Sequence, residues 1–192
     1  MTAELVEIPG YVAGTWDIDP IHSDVAFVVR HLMVSKVRGH FTKFEGSIVT
    51  AADPLESSVT ATIDLTSVDT SNQQRDDHIR SADFFEVEKY PTMTYRSTGV
   101  RRDGADLVLD GELTLKGVTL PVPLRLEANG FGPDPFAADP LTGARAGFTA
   151  TGEINRIDFG VSFNGPLPGG GIALGEKVQI VLEIEAALRP GE

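Results

Sequence analysis

Apolar and polar residues alternate along most of the chain from Trp16 to Leu188. Between Ser58 and Leu65, Val59, Ala61, Ile63 and Leu65 fall on one face, and Ser58, Thr60, Thr62 and Asp64 on the other. The stretch Val178 to Leu188 repeats the pattern, with Ile180 and Leu182 in the apolar phase. A period of two with one apolar face marks antiparallel strands packed on one side. One hairpin can be registered outright. Lys116-Gly117 makes a two-residue turn, since glycine tolerates the positive φ such turns need. It pairs Leu115 with Val118, Leu113 with Leu120, Gly111 with Val122, Leu109 with Leu124 and Leu107 with Leu126. All these side chains then share one side, and a one-residue slip would turn one strand's set outward. Pro121 and Pro123 sit opposite Glu112 and Asp110, so their missing N–H groups face away from this hairpin. The outer flank is expected to be bulged or incompletely paired.

The pattern predicts one helix, Gln73 to Ala82, with N-cap candidates in Thr70-Ser71-Asn72-Gln73 and a Thr-x-x-Gln capping box. It carries little apolar surface beyond Ile79 and Ala82, so it reads as a lid with Phe84 and Phe85 packing beneath it. Two Pro/Gly-rich stretches, Gly130 to Gly143 and Phe163 to Gly175, read as loops. No composition shift marks a domain boundary. Residues 1–14 read as an N-terminal extension and 15–189 as a single domain. About eight strands and one helix predict an all-β fold: a closed antiparallel β-barrel, which removes exposed sheet edges, with a short α-helix near one end.

Charge and composition narrow the functional classes. The 192 residues carry 16 Lys+Arg against 28 Asp+Glu, a net charge of −12. Such a surface disfavours nucleic-acid binding and peripheral membrane docking. The longest apolar run, Val25 to Val29, is too short for an integral membrane segment. With no cysteine, disulfides, thiolate catalysis and Cys-ligated metal are excluded. No Lys or Arg precedes Arg30, which gives the expectation of a cytoplasmic protein; a trimmed exported chain would read the same way.

An eight-stranded barrel closes around side chains alone or around one small ligand. In Ala144 to Ile154 the inward phase is mostly small, including Ala146 and Ala150 around Phe148, and Ala61 and Gly111 join it. That predicts an elongated apolar channel, further lined by Val29, Val59, Ile63, Leu109 and Leu113. Val122, Leu124, Ile180 and Leu182 complete the expected lining. The alternative is a packed barrel in which small residues fit the taper. Continuing the phase past Ile154 brings Arg156 and Asp158 inward, paired with each other or placed at the mouth.

The four histidines, His22, His31, His40 and His78, have no metal-ligand spacing, so neither a metal site nor a cofactor is expected. Ser23 beside His22 lacks a nucleophile elbow, and a role in the Asp19-Pro20 turn explains both better. Gly169-Gly170-Gly171 lacks the Lys-Ser/Thr of a phosphate loop and reads as a hairpin loop.

Several ordered segments resemble the YceI family of lipocalin-like polyisoprenoid-binding proteins. They include Trp16 to Ser23, Phe27 to His31, Gly39 to Phe41, Phe44 to Gly46 and, most specific, Arg75 to Phe85 followed by Tyr90-Pro91-Thr92. Gly111 to Thr119 and Ile154 to Gly160 continue the series, and Gly14-Thr15-Trp16 matches the lipocalin Gly-x-Trp signature. Ile79 and Tyr95 stand where the family more often has Leu and Phe. The resemblance implies a lipocalin-like extended barrel that binds a long isoprenoid, such as a polyprenyl diphosphate or an isoprenoid quinone. The partner expected is therefore a polyisoprenoid lipid, with a homodimer left open. The headgroup or lid set would be His31, Arg75, His78, Phe84, Phe85, Arg156 and Asp158, with no catalytic residue. The alternative is an enzyme acting on an isoprenoid or quinone through Arg156, Asp158 and a histidine at the mouth.

Overall fold

The computed structural model describes residues 6–139 and 142–191. In chain order the strands are β1 (Gly14–Ile18), β2 (Asp24–His31), β3 (Ser35–Phe41), β4 (Phe44–Thr50), β5 (Ser58–Asp64) and β6 (Val68–Asp69). Helix α1 (Gln73–Arg80) follows, then β7 (Thr92–Asp103), β8 (Asp106–Leu115), β9 (Val118–Pro121), β10 (Leu124–Pro133), β11 (Ala144–Asn155) and β12 (Leu174–Leu188). All pairings are antiparallel, and eight strands close a ring in the order β1-β4-β5-β7-β8-β10-β11-β12, with β12 returning to β1.

The longest strand, β12, makes this closure possible. Its lower end, Ala186 to Leu188, pairs with β1, while its upper part pairs with β2 from Leu174 opposite His31 to Glu183 opposite Asp24. Strands β2, β3 and β6 thus wall the upper part of the barrel, and β6 runs on from β5 through a 3-10 turn at Leu65–Ser67. The upper end is the end that carries α1.

The Lys116-Gly117 hairpin has the register read from the sequence, with Leu115 opposite Val118, Leu113 opposite Leu120 and, past the prolines, Leu124 opposite Leu109. Both turn residues have positive φ, 50° and 77°. Val122 N–H still donates to Gly111 O at 2.8 Å. As the prolines suggested, β9 pairs with β8 alone among the described strands. The expected loop from Gly130 is shorter than read: β10 continues to Pro133 past a bulge between Ala128 and Gly130, so that Phe131 pairs with Ala146. Residues 140 and 141 of that stretch lie outside the described residues, as do residues 1–5 of the expected extension.

Helix α1 ends at Arg80, two residues before the expected Ala82, and its cap is Asn72, whose side chain accepts from Arg75 N–H. The Thr70–Gln73 capping box does not form. Thr70 instead donates its N–H and hydroxyl to the buried Asp76 carboxylate, at 2.9 and 2.6 Å. Arg80 donates to the carbonyls of Thr66 and Val68. These bonds hold a helix with little apolar surface firmly against the end of β6.

Two apolar clusters fill the barrel. The lower one centres on fully buried Trp16, with Ala144, Ala146 and Ala186 and the rings of Phe131 and Phe148. Trp16 Nε1 donates to Thr50 Oγ1 at 2.8 Å, so its one polar group is satisfied. The upper one holds Leu65, Val68, Leu113, Leu115 and Phe159, under Ile79, Phe84 and Phe85. Between them the inward side chains do not meet.

Candidate functional site

That gap is a cavity of about 560 Å³, within the range of small-molecule sites. Its walls come from the inward phase of the strands, as the alternation requires. Val29, Val59, Ala61, Ile63, Leu109 and Leu113 line it, and so do Val122, Leu124, Phe148, Ala150, Ile180 and Leu182. Two residues expected in the lining are absent from it. Ala146 belongs to the lower cluster around Trp16, below the cavity floor. Gly111 is covered by Tyr95, whose Cζ and hydroxyl oxygen occupy the space a Cβ would need.

The upper end carries the cationic and histidine side chains. His31, Arg75, His78, Phe84, Phe85 and Arg156 all border the cavity there. His78 sits edge-on to Phe84 and Phe163, centroids 5.0 and 4.9 Å away, and its Nε2 lies 2.8 Å from an Asp83 carboxylate oxygen. Arg75 spends Nε and Nη2 on the hydroxyl and carbonyl of Thr70, both at 2.7 Å.

Arg156 and Asp158 do not pair, contrary to the expectation that strand phase would bring both inward. The strand stops at Asn155, whose side chain accepts from Ile157 N–H and starts a 3-10 turn over Arg156–Phe159. Asp158 is thereby exposed and does not border the cavity. Arg156 is buried, and its guanidinium donates to four carbonyls, those of Gly175, Val161, Phe163 and Leu174. Burial pushes its pKa down from the usual arginine value, opposed by nearby Glu176. It works as a pin between the 3-10 turn and the start of β12.

The other expected chemistry is scattered. His22 pairs with Asp19 rather than with backbone, while Ser23 Oγ accepts from Glu185 N–H and donates to Glu185 O. His40 lies between Asp24 and Asp69, on the outside of the barrel wall. Asp19, His22 and Glu185 do converge within 4.8 Å, but Arg145 already supplies their cation: its Nη1 is 2.6 Å from Asp19 and 3.2 Å from Glu185. Among the described residues, no buried side-chain nitrogen or oxygen lacks a partner.

The lower end holds residues that the sequence reading passed over. Ile8 and Tyr11 border the cavity from the segment before β1. Tyr11 stacks at a tilt on Phe131, 5.2 Å between centroids, and its hydroxyl donates to Ala51 O at 2.7 Å. Gly10, at φ 72°, lets this turn lie against the Phe131 carbonyl, where a Cβ would come within 3.0 Å. Nothing periodic marks these residues in the sequence; the one signal is an aromatic beside a glycine.

A family model described as a YceI-like domain matches residues 16–186. The chain belongs to the YceI-like family. It is 39% identical to Protein YceI of Escherichia coli O17:K52:H18 over 178 residues, covering 91% of this chain and 87% of that relative. The crystal structure of Burkholderia cenocepacia BcnA superposes with a TM-score of 0.68 at 25% identity, over 88% of this chain and 98% of that one. A domain from Saccharophagus degradans, described as polyisoprenoid-binding and implicated in plant cell wall breakdown, shares the fold. Its TM-score is 0.60 at 17% identity, over 93% of this chain and 100% of that one. In this YceI-like barrel, Tyr95 also borders the cavity, and its hydroxyl is engaged with the Val122 carbonyl at 2.9 Å. No helix among the described residues is long and apolar enough to cross a membrane.

Proposed function

We propose that this barrel binds one long-chain polyisoprenoid lipid along its axis, as a carrier or store rather than a catalyst. The observation that carries the reading is the cavity itself: about 560 Å³, walled mostly by Val, Leu, Ile, Ala and Phe, with its cationic and histidine side chains gathered at the end bearing α1. A branched hydrocarbon gains from burial along such a wall at about 25 cal/mol per Å² and needs few polar contacts. The resemblance of the chain's motifs to polyisoprenoid-binding proteins supports the same cargo. A hydroxylated or charged ligand body would leave its polar groups unpaired against these side chains.

The end bearing α1 is where a headgroup meets water. Arg75 and Arg156 are largely committed to protein oxygens. That favours an uncharged head of the isoprenoid-quinone kind over a diphosphate, which would demand free cations. Organic extraction of the purified protein followed by mass spectrometry tests the reading, together with titration of delipidated protein with prenols and quinones. A prenyl lipid and saturable uptake are expected. Recovery of no lipid, with no saturable uptake, would mean an empty structural barrel.

A further inference from the structure

The tip of the β2–β3 hairpin is built against three ordinary preferences at once. Its turn residues Leu32 and Met33 both have positive φ, 51° and 57°, in a position that glycine, asparagine or aspartate would occupy with less strain. These two and Val34 hold large apolar side chains in water, with Val34 83% exposed. Ile172, in the neighbouring loop, adds a fourth exposed apolar group. That loop is tied to the tip by Leu32 N–H donating to Ala173 O at 2.8 Å.

Charge is the third departure. Arg30 and Lys36 stand directly opposite each other across the hairpin, a like-charge pairing that costs stability. Arg38 follows on the same exposed face, and none of the three is in an ion pair with a described residue. A chain of net charge −12 thus keeps unpaired cations beside its apolar tip. The tip also adjoins the cavity: His31, Ala173 and Leu174 border it.

We propose that this tip docks the barrel on an anionic lipid bilayer, with Leu32, Met33, Val34 and Ile172 entering the headgroup boundary and Arg30, Lys36 and Arg38 facing the lipid phosphates. An apolar wedge flanked by cations fits that partner and not a uniformly polar one. The net charge does not oppose the contact, because salt screens charges farther than about 8 Å, leaving the local basic flank to act. The docked pose sets the polar end of the cavity at the bilayer, where an isoprenoid could pass without crossing water. This purpose rests on the lipid-binding reading, but the docking can be measured without it.

The test is flotation of the purified protein with vesicles of phosphatidylcholine alone or of equimolar phosphatidylcholine and phosphatidylglycerol. The protein should float with the anionic vesicles, and added salt should weaken binding. Lys36→Gln should lower vesicle affinity roughly fivefold. The decisive variant is Leu32→Asn with Met33→Gly and Val34→Thr. It relieves the backbone strain, so its melting temperature should not fall, yet vesicle binding should be lost. Uptake of a short, soluble prenol by the delipidated variant should match wild type, and failure there in wild type would strike the cargo reading alone. Docking is overturned if wild type floats with neither vesicle, or if the triple variant floats as well as wild type. It is also overturned if wild type is a dimer that the variant breaks without any vesicle binding, which would make a second copy the partner.

Discussion

The ring of Tyr95 lies diagonally across Gly111 on the neighbouring strand, so close that a methyl group there would stand 2.4 Å from its Cζ. Its hydroxyl donates to the Val122 carbonyl at 2.9 Å, beside the prolines that weaken β9. Burial, helped by Asp110, raises the phenol pKa, so it remains a neutral donor at ordinary pH. Gly111→Ala should displace the ring and cost about 1–3 kcal/mol. Tyr95→Phe should cost about 1 kcal/mol for the lost hydrogen bond. The double variant should cost less than the sum, since the alanine has already moved the phenol. Urea unfolding of delipidated protein measures all three.

Ala61 borders the cavity from the middle of β5, flanked by Val59 and Ile63 on the same wall. Ala61→Trp should abolish prenol uptake while leaving the melting temperature of the empty protein near wild type, because the indole enters open space. A packed interior would be overfilled instead, at about 1–3 kcal/mol. Both proteins must be delipidated first, since bound ligand raises apparent stability by mass action.

Strand faces and the β8–β10 register could be read from the sequence because both are local: a period of two and a turn fix them. The height of a residue within the barrel could not. Ala146 and Ala150 share a phase, yet Ala150 borders the cavity and Ala146 supports Trp16. That division depends on Phe131 and Phe148 meeting edge to face at 5.8 Å, a contact between strands. Gly111 was misplaced for a similar reason, because only the β7–β8 pairing brings Tyr95 over it. The inward placement of Asp158 was more avoidable: Asn155 is a capping residue, and its side chain ends the strand and turns Asp158 outward while Arg156 stays buried at the cavity.

Arg156 should be the costliest surface-loop pin to remove. Arg156→Leu removes the side-chain donor from the carbonyls of Val161, Phe163 and Gly175, while Leu174 O keeps Asn164 Nδ2, at about 2–4 kcal/mol in total. The expected readout is a lower melting temperature with new proteolytic cleavage between residues 161 and 174. Intact resistance in that loop would show that other contacts hold it.

The Asp19 cluster, which lies beside the β1–β12 closure, predicts a pH optimum. Its bond to His22, then the Arg145 guanidinium and the Ile21 N–H, hold the Asp19 carboxyl well below the ordinary 3.8. Asp19 therefore stabilises fully above that value, and the contribution is lost as pH falls through its depressed native pKa. His22 is raised above 6.5 by Asp19, so its contribution is full below 6.5 and lost as pH rises through the native pKa. The cluster is strongest between the two. Asp19→Asn should flatten the pH dependence of the melting temperature on both sides and return the His22 pKa, followed by NMR, toward 6.5.

Tyr11 predicts how the lower end limits the ligand. The family-model match begins at residue 16, so this side chain comes from outside the matched domain, yet it borders the cavity. Two contacts hold it, the ring on Phe131 and the hydroxyl on Ala51 O, with Ser57 Oγ at 3.2 Å. Affinity in a series of all-trans prenols should rise with each buried isoprene unit and stop rising when the chain reaches Tyr11. Tyr11→Ala removes the ring and should move that stopping point to a longer chain. Tyr11→Phe keeps the ring but drops the hydroxyl bonds, so it should leave the stopping point in place and lose only stability, about 1 kcal/mol. Isothermal titration across the prenol series separates the two effects. An unchanged stopping point in Tyr11→Ala would move the floor to the Phe131–Phe148 pair, and a stopping point that Tyr11→Phe shifts equally would show that anchoring of the segment, not its bulk, sets the limit.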